Sequence, residues 1–318
     1  MLQKRAAIIK QVRSFFDNKG YLELDTPLLS PDLIPESCLE VFKTKRLFPK
    51  GSKKESESLF LVPSPEIWMK KLIAKHRVNV FQICKCFRNG ESTGRLHNHE
   101  FTMLEYYSMN SDYMDSLAIT EELFKKISHR DTETQREECF FERITVAQAF
   151  KKYAGFDLFE AAAKGAGVMA EHARRLGLEP MGEKTSAQLY DLIFIHSVEP
   201  HLKRDKPVAL IDYPAFVPCL AKKASNRQTV ERWEIYWNGI ELANCFSEET
   251  DPEEVKHFFI NEEEEKKRSA VVCHNVDHDY WKNFIDFPRC SGVAIGLDRL
   301  IMALTCKKSI DGALLTCG

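Results

Sequence analysis

The 318-residue sequence lacks several features that would set it apart from ordinary globular proteins. It has no run of about 18 apolar residues, so we expect no membrane span. Charges interrupt its first residues, and no small-residue cleavage site follows, which argues against a signal peptide. The formal net charge is only -2, which argues against a protein whose main partner is a nucleic acid.

Metal-binding cysteine motifs are also missing, although the chain contains ten cysteines. No CxxC pair and no cysteine–histidine spacing typical of zinc sites occurs. Cys84 and Cys86 are the closest pair, and on a predicted strand they would point to the same face. We expect reduced thiols in a cytoplasmic protein rather than disulfides or zinc.

Neither a Walker A sequence nor a GxGxxG motif is present, so a nucleotide site would have to be built in another way. The predicted strands are separated by tight hairpins or irregular helical stretches, without a regular βαβ rhythm. This pattern favours an α+β fold, with an antiparallel sheet flanked by helices. Residues 158–202 are predicted to be mostly helical, and we interpret them as a helical insertion in a single domain covering residues 1–318.

A basic segment lies between residues 35 and 58, and two interpretations of it stay open. Charge runs usually form solvated, mobile loops, but this one is also suited to an acidic partner. Its basic residues are Lys43, Lys45, Arg46, Lys50, Lys53 and Lys54.

An acidic residue interrupts the apolar face of a strand predicted for residues 100–108. Side chains alternate along a strand, so Phe101, Met103, Glu105 and Tyr107 share one face. A carboxylate among aromatic side chains must be paired or must meet a cationic ligand. The strand alone does not separate a buried salt bridge from a cation-binding site.

A hairpin predicted for residues 230–246 carries two further carboxylates. Asn238-Gly239 indicates a type I′ turn. The resulting strand pairs are Trp237–Ile240, Tyr236–Glu241 and Glu234–Ala243. Glu234 and Glu241 would then be diagonal neighbours on one face. Like charges so placed favour a cation between them, and Mg²⁺ often links such carboxylates to nucleotide phosphates. A solvent-facing acidic strand is the alternative.

The segment SGVAIGLDRLIMAL, residues 291–304, leads from a strand of small residues into a helix. A glycine-lined strand lets a ligand approach the backbone. Arg299 in the first helical turn suits a phosphate. Taken alone, the segment is more typical of a packed strand–helix joint with a solvated arginine, because many such joints look similar. Together with the hairpin and with the arginines that precede Glu105, it predicts an ATP site on an antiparallel sheet.

Three segments resemble the signature motifs of class II aminoacyl-tRNA synthetases. FFDNKGYLELDTPLL is similar to motif 1, FRNGESTGRLHNHEFTMLEYY to motif 2 and GVAIGLDRL to motif 3. SPEIWMKKLIA and NGIELANCFSEE resemble lysine-site segments of the lysyl-tRNA synthetase group. The resemblance runs from about residue 4 to the end, and motif 1 implies a homodimer.

Two features differ from a true tRNA synthetase. Motif 1 begins almost at the first residue, so no anticodon-binding domain is expected and tRNA is not the expected partner. Ala294 replaces the glycine usual in motif 3. Both features resemble the free-standing paralogues that join (R)-β-lysine to a lysine side chain of elongation factor P. The resemblance implies an ATP-dependent ligase. The alternatives are an enzyme acting on tRNA or a small amine, and a non-catalytic regulator.

The resemblance also implies roles for individual residues. Arg88 and Arg299 would be catalytic, acting on the phosphates of ATP. The nucleotide site would further contain Asn89, Glu91, His97, Asn98, Phe101, Glu241, Leu242 and Gly296. The amino-acid pocket would contain Ser64, Pro65, Glu66, Glu105, Tyr107, Asn244, Glu248 and Ala294. Mg²⁺ would be held by Glu234 and Glu241.

Some positions depart from the family pattern. Gly90 stands where the family usually has glutamate, and Glu91 is the expected replacement. Cys245 stands where glycine is usual, which would cost stability if its φ were positive. Strict alternation puts Glu248 on the opposite face from Glu241. The pocket of the family therefore requires a bend or bulge near Cys245.

Overall fold

The computed structural model describes residues 1–90, 94–128, 141–202 and 205–314. The chain divides into two compact units, one formed by Met1–Asn110 with Glu249–Gly318 and the other by Ser111–Glu248. No helix in the described ranges is long and apolar enough to cross a membrane. The extent of a single domain over residues 1–318 stays a prediction.

The first unit begins with helix α1 (Leu2–Asn18), whose buried side chains recur at helical spacing. The next elements are β1 (Leu22–Glu23), β2 (Leu29–Ser30), β3 (Lys43–Leu47), β4 (Ser56–Leu61), α2 (Glu66–His76), β5 (Val80–Phe87) and β6 (Glu100–Met109). β2, β4 and β3 form a small antiparallel sheet. Part of the basic segment is therefore a hairpin rather than a loop, because backbone pairing with β4 does not require apolar side chains on β3.

The second unit starts with helix α3 (Tyr113–Ile127). Asp112 and Asp115 form a capping box at its N-terminus. The next elements are β7 (Glu142–Thr145), α4 (Val146–Ala149), α5 (Leu158–Ala163), α6 (Ala166–Arg175) and α7 (Ser186–Ile193). A π-helical turn, Phe150–Ala154, extends α4, and a π-helical and a 3-10 turn extend α7 to Leu202. Strands β8 (Val208–Pro214), β9 (Thr229–Trp237) and β10 (Ile240–Ser247) complete the unit. Its core contains side chains from the helices and the strands, among them Phe150, Leu189, Tyr190, Leu210 and Tyr236.

The chain then returns to the first unit with α8 (Pro252–Ser269), β11 (Cys290–Gly296) and α9 (Leu297–Leu304). Short 3-10 turns lie at Tyr280–Phe284 and Ile310–Gly312. Within this unit the strand order is β1-β5-β6-β11, and only β1 and β5 are parallel. Within the second unit the order is β10-β9-β8-β7, and only β7 and β8 are parallel. The predicted α+β fold with a mainly antiparallel sheet is confirmed.

The two faces of β6 separate the core of the first unit from its predicted site. On one face, the ring of Tyr106 lies 4.9 Å from that of Phe16 of α1. Phe16 also stacks on Phe81 of β5, again at 4.9 Å between centroids. The alternation of the strand turns Phe101 and Glu105 to the opposite face, where the predicted ligand-binding residues lie.

Candidate active site

Glu105 is a buried carboxylate, only 3% exposed, at the centre of the predicted amino-acid site. Ser64 Oγ donates to its Oε2 at 2.5 Å, and the Tyr107 hydroxyl donates to its Oε1 at 2.7 Å. Burial and the nearby Glu66 carboxylate raise the pKa of Glu105 to about 7, although Ser64, Tyr107 and Lys70 act in the opposite direction. Because both direct donors are neutral, the site favours a cationic ligand.

The start of α2 places Ser64 and Glu66. Pro65 is the N-cap residue, and the Glu66 N–H donates to Ser64 Oγ at 3.1 Å. Lys70 lies one helical turn further on, is fully buried, and donates to the Glu66 carboxylate. The sequence analysis did not assign a role to Lys70, although its i,i+4 spacing from Glu66 was a readable signal.

Strand register brings a small residue against Glu105. Ala294 of β11 lies directly opposite Glu105, and Gly292 lies opposite Tyr107. On the other side of β6, Gln82 of β5 is the residue opposite Glu105. Directly opposed residues share a face of the sheet. The methyl group of Ala294 is therefore placed where it limits the room beside Glu105.

Arg88 and Phe101 lie together where β5 ends and β6 begins. The backbone N–H of Arg88 donates to the His99 carbonyl at 3.0 Å. Its guanidinium carbon lies 5.2 Å from the centroid of the Phe101 ring. Cys84 and Cys86 precede this point on β5, with their sulfur atoms 3.8 Å apart, so they share a face as predicted.

The loop after Arg88 gives a physical reason for Gly90. The Asn89 N–H donates to the Glu40 carbonyl at 2.9 Å, and its side-chain amide donates to the Val41 carbonyl at 3.3 Å. Gly90 has a φ of +70°, and a Cβ there would meet the Glu40 side chain at 3.3 Å. The glutamate usual in the family would be strained here. The expected replacement, Glu91, lies outside the described residues.

Helix α9 is anchored by a contact that the sequence analysis did not find. Asp298 is buried, pairs with Arg5 of α1 at 2.5 Å and accepts from the Thr102 N–H at 2.6 Å. Arg5 and Asp298 are 293 positions apart, so no local pattern could have linked them. The pair fixes the helical turn that carries Arg299.

Arg299 lies beside the end of the motif 2 loop. Its Nε donates to the Leu96 carbonyl at 3.2 Å. Gly296 is the N-cap residue of α9. His97 and Asn98 follow Leu96, and the Asn98 side chain accepts from the His99 N–H at 3.0 Å. The structure thus brings the predicted nucleotide residues of α9 close to the motif 2 loop.

The hairpin of β9 and β10 is confirmed, but part of its predicted register is wrong. Asn238 and Gly239 have φ values of +54° and +75°, as a type I′ turn requires. The Trp237–Ile240 and Tyr236–Glu241 pairs are as predicted. A bulge between Glu241 and Ala243 then pairs Asn244, and not Ala243, with Glu234. Leu242 is the extra residue, and its side chain is buried.

The bulge explains how the second unit arranges its predicted site residues. By alternation, Asn244 and Glu248 lie on the same face as Glu241, as the pocket of the family requires. The bulge precedes Cys245 by about two residues instead of including it. Cys245 does not have a positive φ. It is fully buried opposite Trp233, so the expected strain from replacing glycine does not arise.

Glu234 is also buried, at 8% exposed, but charged and neutral donors already surround its carboxylate. Arg232 donates to Oε1 at 2.6 Å, while the Tyr213 and Tyr236 hydroxyls donate to Oε2 at 2.5 and 2.8 Å. Burial raises the pKa of both tyrosines well above the ordinary range, and the charge of Glu234 raises it further. The tyrosines therefore remain protonated donors.

The predicted Mg²⁺ pair, Glu234 and Glu241, shares a face of the hairpin. Mg²⁺ often takes one or two protein carboxylates and completes its shell with phosphate oxygens and water. Glu234 accepts three hydrogen bonds, and a carboxylate offers about four acceptor positions. No group of three or more His, Cys, Asp or Glu within the described ranges is arranged to hold a metal. The pair therefore fits a site that a nucleotide would complete.

Comparison with known proteins agrees with this arrangement. The sequence matches the family described as tRNA synthetases class II (D, K and N) over residues 1–315. The chain therefore belongs to the class II tRNA synthetase family, as the three motifs predicted.

The chain is also similar over nearly its whole length to proteins named elongation factor P–(R)-β-lysine ligase. The one from Avibacterium paragallinarum is 35% identical over 303 residues, covering 95% of this chain and 90% of the relative. The one from Yersinia enterocolitica is 35% identical over 319 residues, covering 98% and 93%. The one from Hamiltonella defensa is 36% identical over 306 residues, covering 95% and 90%.

Proposed function

We propose that this protein is an ATP-dependent ligase that activates (R)-β-lysine as an acyl-adenylate and transfers it to a lysine side chain of elongation factor P. The names of the similar proteins support this activity and this partner. The observation that carries the proposal is Glu105. It is a buried carboxylate with two neutral donors, and Ala294 faces it. That arrangement suits an ammonium group in a pocket of restricted shape.

In the first step, a carboxylate oxygen of the amino acid attacks the α-phosphorus of ATP. An acyl-adenylate forms, and the bond between the α-phosphorus and the leaving oxygen of pyrophosphate breaks. Arg88 and Arg299 stabilise the negative charge that develops on the phosphates, while Glu105 and Glu66 hold an ammonium group. Mg²⁺, held by Glu234 and Glu241, would supply further neutralisation of phosphate charge.

In the second step, the ε-amine of a lysine on the partner protein attacks the acyl carbon. The amide bond forms, AMP leaves, and the attacking nitrogen loses one proton. The amine must be neutral to attack, and its reference pKa is about 10.4. The site must therefore favour the neutral amine or provide a group that accepts its proton.

We further propose a homodimer in the cytoplasm. The similarity of α1 and β1 to motif 1 supports a dimer, and Leu22 of β1 is an exposed apolar side chain. The described cysteines are all free thiols, which agrees with a reducing compartment. Light scattering during size-exclusion chromatography tests the dimer, because it measures the mass in solution directly.

The proposed activity is tested by ATP–pyrophosphate exchange with (R)-β-lysine, L-lysine or no amino acid. Labelled product is then offered to elongation factor P and to tRNA. We expect strong exchange with (R)-β-lysine, transfer to the protein, and no exchange by Arg299→Ala. Exchange with L-lysine and label on tRNA would favour a synthetase-like enzyme, and no exchange at all would favour a regulator.

A further inference from the structure

Arg232 connects two side chains of the bulged hairpin for which the sequence analysis predicted separate roles. Its Nε donates to Asn244 Oδ1 at 3.0 Å, and a terminal nitrogen donates to Glu234 Oε1 at 2.6 Å. Asn244 is predicted to line the pocket for the amino-acid substrate, and Glu234 is predicted to bind Mg²⁺. The sequence analysis predicted no role for Arg232.

The bulge at Leu242 makes this connection possible. In a regular hairpin, Glu234 would face Ala243, and Asn244 would turn to the opposite side of the strand. The extra residue reverses the alternation, so Asn244 lies directly opposite Glu234. Arg232 is two residues before Glu234 on β9 and therefore points to the same side.

Arg232 is itself held firmly in place. Its guanidinium carbon lies 4.6 Å from the centroid of the Tyr213 ring. An arginine keeps its proton in proteins, so the side chain remains charged. A largely shielded charge pair with additional hydrogen bonds has little freedom to rotate.

The charge of Arg232 determines the orientation of the Asn244 amide. A guanidinium only donates hydrogen bonds, so Asn244 must present its oxygen to Arg232. A flipped amide would place two N–H groups against each other. The NH₂ group of Asn244 therefore points away from Arg232, and it can donate to a ligand.

We propose that Arg232 is a positioning residue, which fixes the Asn244 amide so that its NH₂ group donates to the carboxylate of the amino-acid substrate. The part that concerns the substrate rests on the proposed function. The part that concerns the amide orientation depends only on contacts within the second unit.

The first test compares Arg232→Lys, Asn244→Ala and the double variant. Lysine keeps the charge but cannot bond both Asn244 and Glu234 in the fork geometry of arginine. We expect each single variant to raise the KM and the calorimetric Kd for the amino acid about tenfold, with the KM for ATP unchanged within about twofold. Because Arg232 acts through Asn244, the double variant should be no worse than Asn244→Ala alone.

Glu231→Gln is the matched control. Glu231 lies next to Arg232 on β9, and its ion pair with Lys222 is a long one, at 3.9 Å. It alternates to the other side of the strand. We expect no change in either KM. Thermal unfolding of all variants shows whether a loss of binding reflects a loss of folded protein.

A second measurement tests the amide orientation without any substrate. In NMR spectra of the protein alone, Arg232→Lys should shift the side-chain amide signal of Asn244, whereas Glu231→Gln should not. An unmoved signal would overturn the proposal, and so would losses that multiply in the double variant. The amide signal could shift while the wild-type protein neither binds nor exchanges any amino acid. In that case the proposed function has failed, and the role of Arg232 toward a substrate carboxylate fails with it.

Discussion

Two buried glutamates, one in each compact unit, differ in the charge of their partners. Glu105 accepts hydrogen bonds from Ser64 and Tyr107, which are neutral. Glu234 accepts from two tyrosines and from Arg232, which is charged. Both carboxylates are nearly inaccessible to solvent. Burial therefore does not distinguish the two sites, but the presence of a bonded cation does.

This difference indicates separate tasks. The negative charge of Glu234 is compensated inside the protein, where it holds Arg232 and the bulged hairpin in place. Among the residues that the structure describes, the direct donors to Glu105 are neutral, and burial together with the nearby Glu66 carboxylate raises its pKa to about 7. Glu105 can therefore pair with an incoming ammonium group, while Glu234 holds Arg232 and keeps about one acceptor position for the proposed Mg²⁺.

The largest predicted effect is the loss of activity in a Glu105 variant. Glu105→Gln keeps the shape of the side chain but removes the charge that pairs with the substrate. Loss of a buried ion pair should lower kcat/KM for (R)-β-lysine in the exchange assay by about 100- to 1,000-fold. The KM for ATP should stay close to the wild-type value. A loss of less than about tenfold would mean that Glu105 does not pair with the ammonium group.

The two glutamates should also differ in their contribution to folding. Glu234→Gln leaves Arg232, whose side chain is 17% exposed, without its counter-charge, so we expect the free energy of unfolding to fall by about 2 kcal/mol. Glu105→Gln at pH 8 removes a buried charge whose direct donors are neutral, so we expect no loss of stability. Urea unfolding of both variants measures the contrast. Equal destabilisation by the two changes would contradict it.

The pH dependence of stability sharpens the comparison. The pKa of Glu105 is raised to about 7 in the folded protein from an ordinary value of 4.5. The folded state therefore binds its proton more tightly, and the resulting stability is fully present below pH 4.5. It is lost as pH rises to 7, by an amount on the order of 3 kcal/mol.

Glu36 complicates this measurement in a predictable way. Burial and the Glu66 carboxylate also raise the pKa of Glu36 to about 7. Glu105→Gln should therefore reduce the decline in unfolding free energy between pH 5 and pH 7 by roughly half, and only Glu36→Gln with Glu105→Gln should remove most of it. An unchanged decline in the single variant would show that Glu105 does not titrate in this range.

The sequence predicted best those features that depend on local spacing. Asn238-Gly239 placed the β9–β10 turn, and the alternation around Glu105 placed the acidic residue on the correct face. The family resemblance required a bulge near Cys245. The sequence did not predict its position at Leu242, because that position depends on how the buried leucine packs. The Arg5–Asp298 pair could not be predicted, because only the folded chain brings α1 to α9.

Arg232 is an intermediate case. Its spacing of two residues from Glu234 put both side chains on one face of a predicted strand, so the ion pair was open to prediction. Its bond to Asn244 was not, because the regular register placed Asn244 on the other face. A single inserted residue thus decided whether Arg232 could orient a predicted substrate residue.

The smallest predicted effect concerns the residue that faces Glu105. Ala294→Gly removes one methyl group, and the room it leaves should raise kcat/KM for L-lysine relative to (R)-β-lysine by about tenfold. Ala243→Gly is the matched control, because Ala243 also lies within a strand but faces Ile235. Both variants should lose about 0.5–1 kcal/mol of stability, since glycine is unfavourable inside strands. Only Ala294→Gly should change the preference between the two amino acids. If Ala243→Gly changed it equally, the selectivity would reflect strand flexibility and not the methyl group beside Glu105.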